Sequence, residues 1–213
     1  MKTRDLVAWL ASDVSPVERN AVPKRLSRAL MLGLVSNTAL LTALYGIRSD
    51  MPELIFTAMF WIRLAFPLAV VAATMKLAER LARPGASLGF ASFAVVLPIV
   101  TMLLVTGIML LVTPPGYRLQ LMLGTTWRTT TLNVVLVSQP SLAIMQDAMK
   151  SLAPTRLSLA GAGAGLLAGA QGLLVYSLYC SEMAVPFWGI WYVLATIITA
   201  AIGAAIAPRC LRW

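Results

Sequence analysis

The sequence predicts an all-α fold: a polytopic membrane protein, built as a six-transmembrane-helix bundle with a short cytoplasmic N-terminal helical segment. Composition is the first observation, because 59% of the 213 residues are hydrophobic and only 12% are charged, unlike ordinary soluble domains. The second is that the apolar residues fall into six segments, each able to cross a hydrocarbon layer of ~30 Å at ~1.5 Å per residue. The third is an asymmetry of positive charge between the two sides.

The six predicted spans have apolar interiors and polar or charged flanks. They divide the chain into a cytoplasmic amphipathic segment at 1–28, a transmembrane domain at 29–208 and a cytoplasmic tail at 209–213. In chain order the spans are Ala29 to Ile47, Leu54 to Met75, Leu88 to Val112, Thr130 to Met149, Leu157 to Tyr179 and Phe187 to Ala207.

Positive charge fixes the predicted orientation. Of the 17 Lys and Arg residues, only Arg48, Arg63, Arg118 and Arg128 fall on one side of this arrangement, and the other 13 fall on the opposite side. The positive-inside rule therefore places both termini in the cytoplasm. Because orientation already explains the net charge of +9, the charge is no argument for direct binding of nucleic acid.

The N-terminal segment is too short to bury a core of its own. Within it, a helix from about Thr3 to Ser12 would place Leu6, Val7, Trp9 and Leu10 on one apolar stripe. Two partners for that stripe remain open: the membrane surface, or the groove of a soluble cytoplasmic protein.

A second short helix is predicted between the N-terminal stripe and the first span. Ser15, Pro16 and Glu18 have the spacing of an N-cap, a first-turn proline and a capping-box glutamate. Pro23 is expected to interrupt this helix before the first span begins.

Arg63 makes the second span unusual, since a helix that begins at Leu54 carries this cation near its middle. An isolated charge there costs about 2.5 to 3.5 kcal/mol on insertion scales. The helix could start later with Arg63 near the interface, or Arg63 could face the bundle interior. The residues alone favour a tilted helix from which Arg63 snorkels outward.

Prolines and polar residues mark the third and fourth spans. Pro98 should kink the third span, which the run 114–116 ends. The polar residues of the fourth span could line a substrate path, but interhelical hydrogen bonds of ~0.6 kcal/mol each are the favoured interpretation. They are Asn133, Ser138, Gln139 and Gln146, with Pro140 among them.

The fifth span repeats a small residue at every fourth position, at Gly161, Gly165 and Gly169. Such a ridge lets helix backbones approach closely. It predicts packing in the bundle centre or a self-interface, and hence a possible homo-oligomer through this helix. Aromatic residues near the end of the last hairpin are typical of an interfacial belt: Tyr176, Tyr179, Phe187, Trp188, Trp191 and Tyr192.

An enzyme is not expected, and no cofactor is implied. The chain has no histidine, which removes the commonest general base and a common metal ligand. Topology places Cys180 and Cys210 on opposite faces, so these thiols cannot pair within one chain. Cys180 with Glu182 could coordinate a soft metal or be oxidised. The residues alone favour the simpler interpretation of Cys180 as a small apolar residue that closes a helix.

Seven short motifs, in this order and spacing, resemble the NrsF family over essentially the whole chain. That family consists of negative regulators of extracytoplasmic-function sigma factors in proteobacteria. The motifs are the opening Met1-Lys2-Thr3-Arg4-Asp5-Leu6, Phe60-Trp61, Arg83-Pro84-Gly85, Ala153-Pro154-Thr155-Arg156, Tyr179-Cys180-Ser181-Glu182, Trp191-Tyr192 and the terminal Leu211-Arg212-Trp213.

The resemblance implies an anti-sigma factor of the bacterial inner membrane, which holds an extracytoplasmic-function sigma factor inactive until an envelope, metal or redox stress is sensed. The N-terminal stripe would then contact the sigma factor, and Cys180 would take part in sensing. One departure is that the family has a second cysteine near the outer start of the fourth span, where this chain has threonines at 129–131. Paired-thiol metal chelation is therefore not expected.

Two other functions compete with this interpretation. A small transporter or channel subunit would use Arg63, Asn37, Asn133 and Gln139 as a polar path. A structural scaffold of the membrane would need neither a cytoplasmic partner nor a sensing thiol.

Overall fold

The computed structural model describes residues 20–46, 55–83 and 89–212, together with Thr3, Asp5, Val7, Trp9 and Glu53. The described residues form helices that pack into a bundle. They are α1 (Ala21–Tyr45), α2 (Ala58–Leu81), α3 (Gly89–Val112), α4 (Pro115–Leu123), α5 (Trp127–Val137), α6 (Gln139–Lys150), α7 (Leu157–Tyr179) and α8 (Val185–Cys210). Helix α8 contains one π-helical turn at Trp188–Tyr192.

Five of these helices, α1, α2, α3, α7 and α8, are long and apolar enough to cross a membrane. The predicted fourth span, Thr130 to Met149, is not one continuous helix: α5 ends at Val137 and α6 begins at Gln139. Pro140 explains the interruption, because proline has no N–H to donate to the preceding turn.

The break at Ser138 is local. Its main-chain N–H still donates to Val134 at 3.0 Å, and its carbonyl accepts from Leu142 at 2.9 Å. The Ser138 hydroxyl also donates to the Val134 carbonyl at 2.6 Å. A Cβ added to Gly172 would lie 2.0 Å from the Ser138 hydroxyl oxygen, so α7 accommodates the interruption by having no side chain there.

Helix α7 is the centre of the bundle and packs against α8, α2, α6, α1 and α5. Its boundaries are those predicted for the fifth span. A Cβ added to Gly161 would lie 2.4 Å from the Gly203 carbonyl oxygen, and one added to Gly165 would lie 2.5 Å from that of Thr199. The glycine ridge therefore packs on α8 of the same chain, which agrees with the first of the two predictions, packing in the bundle centre. A homo-oligomer through this helix stays a prediction.

Helices α1 and α2 begin at residues other than the predicted starts of the first and second spans. Helix α1 begins at Ala21, eight residues before the predicted start, with Pro23 in its first turn, where proline is tolerated. The predicted interruption at Pro23 is therefore wrong, and the boundary at residue 28 falls inside α1. Helix α2 begins at Ala58 and continues to Leu81.

Buried polar side chains join the helices. The Asn37 amide nitrogen donates to the Ser141 hydroxyl at 3.0 Å, and the Ser141 N–H donates back to the Asn37 amide oxygen at 3.2 Å. Gln146 donates through Nε2 to the Gly203 carbonyl at 2.9 Å. Interhelical hydrogen bonding from the polar fourth segment is thus confirmed for Gln146, and Ser141 adds a bond that the sequence did not single out.

Helix α3 packs on one side of α2 and on the start of α8, and it leaves most of its apolar surface exposed. Phe90 is 80% exposed, Phe93 74% and Val112 81%. An apolar surface of this extent is far larger than a soluble monomer shows and is suited to contact with hydrocarbon.

Candidate functional site

The bundle has two ends, here called the Cys180 end and the Cys210 end after the two cysteines. Cys180 follows the last residue of α7, and its N–H donates to the Tyr176 carbonyl at 3.0 Å. Its side chain is 3% exposed and belongs to an apolar cluster with Tyr176, Phe187 and Trp188. Cys210 ends α8 and is exposed, and neither cysteine is part of a disulfide.

Arg63 lies in the bundle interior, 1% exposed, so the favoured prediction that it snorkels outward is wrong. Its Nη1 donates to the main-chain carbonyl of Cys180 at 2.5 Å. The guanidinium carbon also lies 5.8 Å from the centre of the Phe60 ring, within the range of a cation–π contact. These interactions offset part of the cost of a charge inside the bundle.

Tyr192 adds a third polar group beside Arg63 and Cys180. It is fully buried in the π-helical turn of α8 and belongs to the same buried cluster as Cys180. Three helices thus meet through these residues: α2 through Arg63, α7 through Cys180 and α8 through Tyr192. Single π-helical turns recur at functional sites in other proteins.

Glu182 ties the connection between α7 and α8 to the turn before α5. Its Oε1 accepts hydrogen bonds from the Thr125 N–H at 2.7 Å, from the Thr125 hydroxyl, and from the Thr126 hydroxyl at 3.5 Å. The Glu182 carbonyl accepts from the Trp188 indole N–H at 3.0 Å. Through its side chain and its main chain, Glu182 therefore joins the α7–α8 connection to the turn before α5 and to Trp188 of α8.

Gly124 makes the contact with Glu182 possible. Its φ is +54°, a conformation that glycine adopts without the penalty paid by other residues. A Cβ at this position would lie 2.9 Å from the Glu182 carboxylate and 2.9 Å from Phe187. The turn before α5 thus approaches the α7–α8 connection more closely than a substituted residue would allow.

Cys180 and Glu182, predicted as a sensing pair, have different contacts. The Cys180 side chain points into the apolar cluster, whereas the Glu182 carboxylate is held by Thr125 and Thr126. Among the residues that the structure describes, no three acidic or cysteine side chains form a group that could hold a metal ion. A sensing role for the two residues stays a prediction.

The aromatic residues at the Cys180 end are mostly core residues. Tyr176, Phe187, Trp188 and Tyr192 are each at most 2% exposed, so the interpretation of these four as an interfacial belt is wrong. They enclose Cys180 and pack α7 against the beginning of α8. A dense aromatic environment there keeps the thiol away from solvent.

The N-terminal stripe is described at two of its four residues. Thr3, Asp5, Val7 and Trp9 are helical, as predicted for the segment from Thr3. Val7 is 61% exposed and Trp9 is 69% exposed. Leu6 and Leu10, predicted on the same stripe, lie outside the described residues, as do the second-helix residues at 15–18.

The polar residues proposed for a transport path take part in separate contacts. Asn37 bonds with Ser141, Arg63 with the Cys180 carbonyl, and Gln139 with the Val135 carbonyl of the preceding helical turn. The first two bonds fasten helices to one another, and the third is a local bond back to the preceding turn.

Sequence reasoning missed the role of Arg63 and the threonine partners of Glu182. An arginine within a predicted membrane span usually faces the interior of the bundle, where it has a functional or structural role. The position of Arg63 in the predicted second span was therefore a usable signal. The partners of Glu182 lie more than 50 positions away along the chain, and a single sequence carries no sign of such a pairing.

Comparison with known proteins covers the whole chain. Residues 10–213 match the NrsF family, described as "Negative regulator of sigma F". The chain is 37% identical over 213 residues to a protein of Azospira oryzae named "Probable anti-sigma-F factor NrsF", with all of both chains aligned. It is 31% identical over 215 residues, again over both full lengths, to the "Anti-sigma-F factor NrsF" of Caulobacter vibrioides. No solved structure matches it.

Proposed function

The chain belongs to the NrsF family of negative regulators of sigma F, and on that premise we propose that it is an anti-sigma factor of the bacterial inner membrane. It holds an extracytoplasmic-function sigma factor inactive and releases it when an envelope, metal or redox stress reaches the Cys180 end. The observation that carries this proposal is the alignment over the full length of both named anti-sigma-F factors.

Membrane insertion is supported by five long apolar helices and by the exposed apolar face of α3. In the proposed topology α5 and α6 together form a sixth span, since hydrogen bonds continue across Ser138. An even number of spans puts both termini on one side. The distribution of Lys and Arg makes that side the cytoplasm.

The sigma-factor contact is assigned to Leu6, Val7, Trp9 and Leu10. A helix that exposes a valine and a tryptophan to this extent gains free energy when a partner groove buries them, at about 25 cal/mol per Å² of apolar surface. The cytoplasmic position of the segment gives it access to the transcription machinery.

Release requires two states of the bundle that differ in affinity for the sigma factor. The Cys180 end supplies a place where such a change can begin, because Arg63 of α2 bonds to the Cys180 carbonyl at the end of α7, and Cys180 shares a buried cluster with Tyr192 of α8. Oxidation or metal binding at Cys180 would enlarge or charge a side chain that is now packed in a dense cluster. Relief of that strain would shift α8 against α7.

Co-purification from detergent-solubilised membranes tests the proposal. Tagged full-length protein is expected to bring down a sigma factor, and Trp9→Ala is expected to reduce its yield severalfold. Trp61→Ala is the matched control, since Trp61 is also exposed, at 58%, but lies on α2. Recovery of no sigma factor by the unaltered protein would refute the function. Equal loss in both variants would refute the contact assignment.

A further inference from the structure

A cleft of about 330 Å³ lies between the end of α2 and the beginning of α3, at the Cys210 end of the bundle. Its lining includes three cations, Lys76, Arg80 and Arg83, and one carboxylate, that of Glu79. These four side chains together carry a formal charge of +2. A cleft of this sign attracts an anion.

The three cations of the cleft are accessible to a ligand. The Lys76 side chain is 71% exposed, and Arg80 and Arg83 are exposed as well. The carboxylate of Glu79 lies 3.6 Å from the Lys76 ammonium, so the excess positive charge of the cleft comes from the arginines. A guanidinium is suited to phosphate, because it can donate two parallel hydrogen bonds to one group.

An apolar groove continues the cleft along the outside of the bundle. Ala94 lines both the cleft and a cavity of about 510 Å³ that follows α2 and α3 toward the Cys180 end. On α3 the wall of this cavity extends from Ala94 to Val105, about 16.5 Å at 1.5 Å per residue. Leu97 and Val105 in that wall are 66% and 41% exposed, so the groove opens toward hydrocarbon when the bundle lies in a bilayer.

We propose that the cleft binds the phosphate headgroup of an anionic phospholipid, with one acyl chain in the groove between α2 and α3. A charged head joined to a long apolar chain matches cations at the end of an apolar groove, whereas a free phosphate would use the cationic end alone. Basic pockets between transmembrane helices bind anionic lipid headgroups in other proteins. Binding here depends on membrane insertion but not on contact with a sigma factor.

The level of the cleft fits a headgroup. Helix α2 ends at Leu81 and α3 begins at Gly89, so Arg80 and Arg83 lie where two apolar helices leave the hydrocarbon. Phe90 lines the cleft and is 80% exposed, and aromatic rings are common at the boundary between headgroups and hydrocarbon. A soluble protein would reach the cations but not the apolar groove, which a lipid fills.

Photolabelling of the full chain in nanodiscs tests the site. Phosphatidylcholine nanodiscs receive a small fraction of phosphatidylglycerol with a diazirine in one acyl chain, and labelled peptides are identified by mass spectrometry. Labels are expected on the groove-lining parts of α2 and α3, at least about fivefold above those from diazirine phosphatidylcholine at the same fraction. Unlabelled phosphatidylglycerol should remove this excess.

Matched charge variants test the position of the headgroup. Arg80→Gln and Arg83→Gln are each expected to reduce the excess labelling about fivefold, which corresponds to about 1 kcal/mol for one cation near a membrane surface. Arg209→Gln removes the same charge at the same end of the bundle, but from an exposed position on α8 outside the cleft, and should leave the excess unchanged. Equal losses in all three variants would show a general effect of surface charge and would overturn the proposal.

A second pair of variants tests the acyl-chain groove. Ala94→Phe fills the place where the cleft meets the apolar cavity and should abolish the excess labelling. Ala72→Phe, at an exposed position of α2 outside both, should leave it unchanged. Equal labelling by the two diazirine lipids would indicate ordinary surrounding lipid, and removal of the excess by glycerol 3-phosphate would indicate a site for free phosphate; either result would overturn the proposal.

Discussion

Arg63 and Cys180 are 117 positions apart in the sequence, and Arg63 donates a hydrogen bond from Nη1 to the Cys180 carbonyl. The bond joins α2 to the residue at which α7 ends and the connection to α8 begins. Because the guanidinium is buried, loss of this partner would leave a charge in a medium that solvates it poorly. A rearrangement of the Cys180 backbone is therefore coupled to the position of α2.

Replacement of Arg63 should expose Cys180. In a Cys210→Ser background, we expect Arg63→Met to raise the rate of maleimide labelling of Cys180 about tenfold, since hydrogen bonds to charged groups contribute about 1.5 to 3 kcal/mol. Arg63→Lys keeps a cation and a donor and should label more slowly than Arg63→Met. Equal rates in the two variants would show that the bond does not hold the connection closed.

Removal of the Glu182 carboxylate should loosen the turn before α5. Glu182→Ala leaves the Thr125 N–H without its present acceptor, at a cost of about 1 to 3 kcal/mol. Amide hydrogen exchange at 124–126 should accelerate about tenfold or more. Glu79→Ala is the control, because Glu79 lies on α2 and pairs with exposed Lys76 at 3.6 Å. If the two variants accelerated exchange at 124–126 equally, the assigned contact would be contradicted.

Glycines of α7 should differ sharply in their tolerance of a methyl group. A Cβ at Gly165 meets the main chain of α8 at 2.5 Å and 2.8 Å, whereas one at Gly163 meets only the end of the Leu81 side chain. We expect Gly165→Ala to lower the free energy of unfolding by about 1 to 3 kcal/mol and Gly163→Ala to be nearly neutral. Thermal unfolding in detergent measures both, and similar losses would argue against close packing of α7 on α8.

Maleimide labelling of Cys210 tests the proposed topology of the chain in the membrane. Cys210 is exposed, and the proposed topology, based on the distribution of positive charge, puts it in the cytoplasm. In a Cys180→Ser variant, a membrane-impermeant maleimide should label Cys210 in inverted vesicles and not in intact spheroplasts. Labelling from outside intact spheroplasts would reverse the proposed orientation.

The sequence alone predicts the limits of long apolar helices with polar flanks well. Helix α7 matches its predicted limits, and α3 begins at Gly89 and ends at Val112 as the Pro114-Pro115 signal requires. The short helix α4 was not predicted, because Pro115 was interpreted only as the end of α3. Proline is equally suited to the first turn of a new helix.

The remaining differences from prediction concern contacts between residues that are distant in the sequence. Arg63 was judged by the local cost of a charge in hydrocarbon, and the carbonyl that compensates it is contributed by α7. The glycine ridge was recognised as a packing surface, but whether α8 or a second chain fills it depends on tertiary arrangement. For the break at Ser138 the sequence signal is Pro140, which removes one backbone donor in the middle of the predicted fourth span.

Site-specific photocrosslinking in living cells tests the central claim, that the amino-terminal stripe holds a sigma factor on the cytoplasmic side. A benzophenone amino acid is placed either at Val7 or at Tyr117, which are 61% and 63% exposed and lie on opposite sides in the proposed topology. A crosslinked product that contains a sigma factor is expected from position 7 and none from position 117. Sigma-factor crosslinks from neither position, or from 117 alone, would contradict the account.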